Sequence, residues 1–114
     1  MIKVTFRHES DEIKRITFRG HAEGYGEEAD RIICASVSTI FYNLCAMLRE
    51  YPSEAFLYPF KMKEAKHKNG MSSIEVAPSK EYEQLIFHDL CYAMVGFETV
   101  AMNYPAAVEI VVKQ

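Results

Sequence analysis

Two runs near the start of the chain, "IKVTFR" (2–7) and "IKRITFR" (13–19), alternate side-chain character residue by residue and are joined by the polar "HESDE". A period of two puts successive side chains on opposite faces of an extended backbone, so the pair reads as an antiparallel hairpin. Such a hairpin needs a partner for its apolar face. From about Arg31 to Tyr51, Ile33, Val37, Ile40, Phe41, Leu44, Met47 and Leu48 recur at helical spacing, which predicts a largely buried helix stopped by Pro52.

The rest of the chain repeats the scheme. "FLYPFKMKEAK" leads through "HKNG" into "MSSIEVA", and Asn69-Gly70 between two strand-like runs is a strong hairpin signal. "PSKEYE" opens a second helix with Ser79 as N-cap and Glu81 and Glu83 near the positive end of the dipole. Tyr82, Leu85, Ile86, Ala93, Phe97 and Val100 trace its apolar face to about Met102. "NYP" ends it, and "AVEIVVK" (107–113) is a last strand with Val108, Ile110 and Val112 on one face. The expected fold is therefore α+β with element order ββαββαβ. Two helices pack on one face of a single mixed or antiparallel sheet in a two-layer domain.

Length and charge narrow the function classes. With 114 residues, residues 1–114 are expected to form one domain. Net charge is −3 and Lys and Arg are interspersed with Asp and Glu. That gives no basic stripe for gripping a phosphate backbone, so direct nucleic-acid binding is not expected. No apolar run approaches the ~20 residues of a membrane span, and the N-terminus has no h-region, so neither membrane nor export is expected. Three cysteines, Cys34, Cys45 and Cys91, are an odd number without CxxC spacing, which points to reduced thiols in a cytoplasmic protein. His8, His21, His67 and His88 are dispersed, so neither a metal nor another cofactor is expected.

The stretch "FRGHAEGYGEEADRIICASVS" (18–38) does not read as scaffold. It leaves a strand at His21, crosses a loop over 20–30 carrying Gly20, Gly24 and Gly26, and enters the first helix near Cys34. If that helix begins at Asp30 or Arg31, with Asp30 as cap, Cys34 lies in its first turn. There the unpaired N–H groups and the dipole favour a thiolate and would form an oxyanion hole. With His21 folded back beside it, the two make a nucleophile and general-base pair. Glu23, Glu27, Glu28 and Asp30 would make the loop an acidic lid suited to a basic peptide. Ser38, one turn after Cys34, shares its helix face. Taken alone, these residue types suit scaffold better than catalysis, since a cysteine entering a buried helix is commonly a small core residue. Cys45 and Cys91 read as core fillers.

Gly20-His21-Ala22, the short acidic loop, Asp30 and "IICASVS" with Cys34 and Ser38 resemble the ribosomal-processing cysteine protease (Prp) family, whose pattern runs Gly-His-Ala, then Asp-Ile-Val-Cys-Ala and a serine. The resemblance implies that Cys34 is the nucleophile and His21 the base, with Gly20, Asp30 and Ser38 supporting the site. It also implies a homodimer and a substrate, the N-terminal extension of a ribosomal protein precursor (large-subunit ribosomal protein twenty-seven), cut after an aromatic residue. Tyr25, Phe41 and Tyr42 are the candidates for that residue's pocket. Two departures are visible: Ala29 stands where the family has glycine, and Arg31 lengthens the His-to-Cys segment by one residue. The alternatives are a non-catalytic, ribosome-associated module that binds a basic tail with the same loop, and a redox-sensing cysteine, for which no resolving cysteine lies near Cys34.

Overall fold

The computed structural model describes residues 1–9, 12–66 and 70–114. Its elements run β1 (Ile2–Glu9), β2 (Glu12–Gly20), α1 (Glu27–Arg49), a 3₁₀ turn (Ser53–Ala55), β3 (Lys61–Lys63), β4 (Met71–Glu75), a second 3₁₀ turn (Lys80–Tyr82), α2 (Glu83–Asn103) and β5 (Val108–Lys113). This is the expected ββαββαβ order in an α+β fold. The sheet order is β3-β4-β2-β1-β5, antiparallel except for β5, which pairs parallel to β1, so the sheet is mixed.

The period-two strands sort their side chains as the alternation requires. Ile2, Val4 and Phe6 of β1 and Ile16 of β2 are buried, and they meet Ile33, Val37 and Phe41 of α1 and Ile86 and Phe97 of α2. Phe6 packs on Phe97 (ring centroids 5.9 Å apart) and Phe18 stands edge-on to Phe41 (5.0 Å), so each helix is keyed to the hairpin by an aromatic pair. Fully burying each large side chain contributes roughly 1.5–3 kcal/mol, which makes this contact layer the main source of stability. Tyr51, just beyond α1, donates a 2.6 Å hydrogen bond from its hydroxyl to Asp89 of α2, tying the two helices together.

Several sequence expectations shift. Helix α1 starts four residues before Arg31, at Glu27, because Gly26 caps it in a backbone conformation (φ 100°, ψ 156°) that only glycine adopts readily. Helix α2 is preceded by a 3₁₀ turn, and Ser79 makes no side-chain cap bond; Leu85, read as core-facing, is exposed. The strand read across 56–66 is only three residues long. The hairpin signal at Asn69 lies outside the described residues. Each helix also contains a stretch long and apolar enough, by length and composition, to suit a membrane span, which reading runs of consecutive apolar residues did not reveal. Here they lie side by side on the sheet.

The sheet's other face departs most from expectation. The cations of β1, β2 and β5, scattered among carboxylates in sequence order, gather on it once the strands are paired: Lys3, Arg7, Arg15, Arg19 and Lys113 line one shallow depression.

Candidate active site

The site is built where β2 hands over to α1. Gly20, the last residue of β2, pairs with Ile2 and has φ 98°. A Cβ there would lie 2.1 Å from the carbonyl oxygen of Met1, so only glycine lets the chain turn out of the sheet at this point and deliver His21 beside α1. The next residue, Ala22, is only 7% exposed and joins the core. Its backbone N–H donates to the Cys34 sulfur at 3.4 Å, which fixes the loop against the helix at the thiol itself.

Cys34 is the eighth residue of α1, partly buried against the core. It therefore lies beyond the first helical turn, where the dipole and the unpaired N–H groups act, contrary to the placement expected from sequence. Helical N–H groups around it are engaged along the helix axis. The donor that reaches the sulfur comes from the loop instead.

His21 and Cys34 line two adjoining depressions. One, of about 330 Å³, is bordered by Gly20, His21, Cys34, Ser38 and Tyr42, with Phe18 and Ser72 from the sheet and Ala65 and Lys66 from the β3–β4 connection. The other has an acidic rim of Glu23, Glu27 and Asp30, offset in part by Arg31 beside Glu27, around the same His21 and Cys34. The fold thus brings His21, Cys34, Gly20 and Ser38 to one cleft and sets Asp30 at its neighbour. Asp30 is not the helix cap; its Oδ1 accepts a 3.2 Å bond from the Tyr25 N–H and steadies the loop. Of the aromatic candidates, Tyr42 lines the cleft, Phe41 is buried beneath it, and Tyr25 faces away, edge-on to Tyr104 (5.3 Å) with its hydroxyl accepting from the Ala106 N–H.

The loop itself is not the loose lid that the glycines suggested. It covers residues 21–26 only and is held at Ala22 and Tyr25, while Glu27, Glu28 and Asp30 belong to the first turn of α1 and face its positive end. Glu27 is further engaged with Arg31 at 2.8 Å. Phe18, Ser72 and the β3–β4 connection were not singled out from sequence. The alternation of β2 places Phe18 on the core side, but only strand pairing sets Ser72 opposite it.

The other two thiols differ in setting. Cys45 is fully buried and Cys91 partly so, and desolvation pushes both above the ordinary thiol range. Among the described residues no three His, Cys, Asp or Glu side chains stand close enough to hold a metal ion.

Comparison with known proteins completes the picture. A Streptococcus mutans protein of known crystal structure superposes with a TM-score of 0.79 at 24% identity, covering 99% of this chain and 94% of the other. Two structures of an essential ribosomal processing protease Prp from S. aureus share the fold, each covering 99% of this chain and 100% of theirs. One, holding a covalently linked product peptide, has a TM-score of 0.75 at 18% identity; the other, holding a substrate peptide, has 0.73 at 16%. No curated protein sequence matches. The family described as cysteine protease Prp matches residues 1–109. By that match, over nearly its whole length, this chain belongs to the cysteine protease Prp family.

Proposed function

We propose that residues 1–114 form one cytoplasmic protease domain that removes the N-terminal extension of a ribosomal protein precursor, large-subunit ribosomal protein twenty-seven, with Cys34 as nucleophile and His21 as general base. The observation that carries this reading is the shared cleft of His21 and Cys34, with a backbone donor on the sulfur, in a chain of a cysteine protease family. That the S. aureus relative holds a substrate peptide in one structure and a covalent product in another supports the same chemistry here.

His21 takes the Cys34 proton, and the sulfur attacks the carbonyl carbon of the scissile bond. His21 then protonates the departing amine, and the acyl group stays on sulfur as a thioester. A water deprotonated by His21 releases it and restores the thiol. The Ala22 N–H, aimed at the sulfur, holds its negative charge. Gly20 positions His21; Ser38 lines the cleft one turn beyond Cys34, and Asp30 holds the loop. Tyr42 and Phe18 offer the apolar wall for the aromatic residue at the cut, and the acidic rim receives the basic residues of a ribosomal protein tail.

The enzyme works as a homodimer. Leu85, Tyr92, Val95 and Met102 stand exposed on α2, and their spacings of seven, three and seven residues put them along one side of the helix. The sheet's outer face, by contrast, would set cation against cation.

The test is turnover of a peptide spanning the extension, with products read by mass. Wild type yields two fragments split after an aromatic residue. Cys34→Ala and His21→Ala each lower the rate by at least ~10³-fold, the scale of losing one member of a catalytic pair. Undiminished turnover by Cys34→Ala overturns the assignment. If wild type binds the peptide without cutting it, a non-catalytic binding module replaces this reading.

A further inference from the structure

We infer that the outer face of the sheet is a docking surface for the phosphate backbone of double-stranded RNA. Lys3, Arg7, Arg15, Arg19 and Lys113 surround one depression, and Lys61 and Lys63 extend the same face through the register of β3 and β4. Seven of the chain's thirteen Lys and Arg thus share one side of one sheet. Opposing them on these strands are Glu75, already paired with Lys61 at 3.6 Å, and Glu109. A chain of net charge −3 has therefore segregated its positive charge, which a solvated face of mixed sign would not require.

The layout suits a phosphate backbone. Arg15 and Arg7 pair across β2 and β1, with Lys113 next to Arg7 on β5, and form one row. Arg19 and Lys3 form a second row four residues along, about 13 Å away at the strand rise. Between them lie the hydroxyls of Thr5 and Thr17, suited to phosphate or 2′-hydroxyl contacts. The Arg15 Nε is shielded from water without a hydrogen-bond acceptor among the described residues, a donor still open to a ligand oxygen.

No aromatic side chain stands among those lining the depression. Tyr58 stands at the β3 margin of the face with its ring under Lys61 (5.1 Å) and its hydroxyl on Glu75. The depression itself thus has no stacking platform for splayed bases, which favours a duplex read by shape and backbone over a single strand. The choice of RNA among polyanions rests on the ribosomal-processing reading above. It also gives the geometry a use, because Lys3 and Arg19 border a second depression that contains Gly20 and His21, where Glu23 and Glu109 bring the cationic surface to an end. A duplex on the sheet would end at the lip of the cleft.

The experiment is a fluorescence-anisotropy titration of the full chain against a duplex RNA of about 16 base pairs at several salt concentrations. Five neutralised phosphates predict a slope of log affinity against log salt near −4.5, hence a loss of roughly 10²–10³-fold between about 50 and 200 mM. Arg7→Ala with Arg15→Ala is expected to reduce the slope by about 2 and the affinity at least ~10-fold. Arg7→Lys with Arg15→Lys keeps most of the affinity, and Arg49→Ala with Lys80→Ala, on other elements, changes nothing. Absence of binding at the lowest salt, or binding indifferent to Arg7 and Arg15, overturns the inference. So does tighter binding to polyglutamate or to phosphatidylcholine–phosphatidylglycerol vesicles than to the duplex. Peptide turnover by the Arg7/Arg15 double variant is measured alongside and stays at the wild-type rate. Turnover without RNA binding sinks only the docking surface; RNA binding without turnover by wild type sinks only the protease assignment.

Discussion

Gly20 has the most demanding position in the site. Its positive φ and the closeness of the Met1 carbonyl leave no room for a side chain, so Gly20→Ala must either strain the backbone or part the start of β1 from the end of β2. The expected cost is about 1–3 kcal/mol, visible as a lower thermal midpoint, with peptide turnover falling because His21 leaves its station. A variant as stable and as active as wild type would show that the turn has no such constraint. Gly20, His21, Cys34 and Ser38 stand out in the sequence, and the fold sets all four along one cleft. The sequence did not reveal the Ala22 N–H on the sulfur, because that contact depends on where a six-residue loop re-enters the core.

At the scale of elements, the start of α1 shows how one misplaced boundary changes an electrostatic argument. Gly26 followed by Glu27 and Glu28 is a helix-start signal, whereas reading those acids as lid charge begins the helix at Asp30 or Arg31. The four-residue shift moves Cys34 out of reach of the dipole. The α1–α2 link carries its own prediction. Burial, then the hydrogen bond to Asp89 and its charge, push the Tyr51 phenol up to about 12. A folded-state value above the unfolded one means that the native state holds this proton more tightly, so the contribution is full below about pH 10 and is lost as pH rises toward 12. Denaturant melts between pH 9 and 12 should show wild type losing stability across that window. Tyr51→Phe should start less stable, for want of the 2.6 Å bond, and decline less steeply; an equal alkaline slope would remove Tyr51 from the account.

For the whole molecule the governing feature is segregation: cations on the sheet's outer face, apolar side chains on the exposed side of α2, and Glu23, Glu27 and Asp30 at the depression beside the cleft. The fold class and element order were readable because the strand and helix periods differ so plainly. Charge segregation was not, because alternation along β1, β2 and β5 interleaves inward apolar residues and outward cations, and only pairing stacks the cations in rows. The apolar side of α2 makes Val95→Glu the variant of choice for the dimer. Sedimentation equilibrium should find wild type dimeric and the variant monomeric yet folded, whereas a monomeric wild type would remove the dimer. The account as a whole turns on one thiol being chemically set apart from the other two by His21. Timed iodoacetamide labelling near neutral pH, mapped by mass, should modify Cys34 at least ~10-fold faster than Cys45 or Cys91, with the advantage erased by His21→Ala. Equal, slow labelling of all three in the wild-type protein would contradict it.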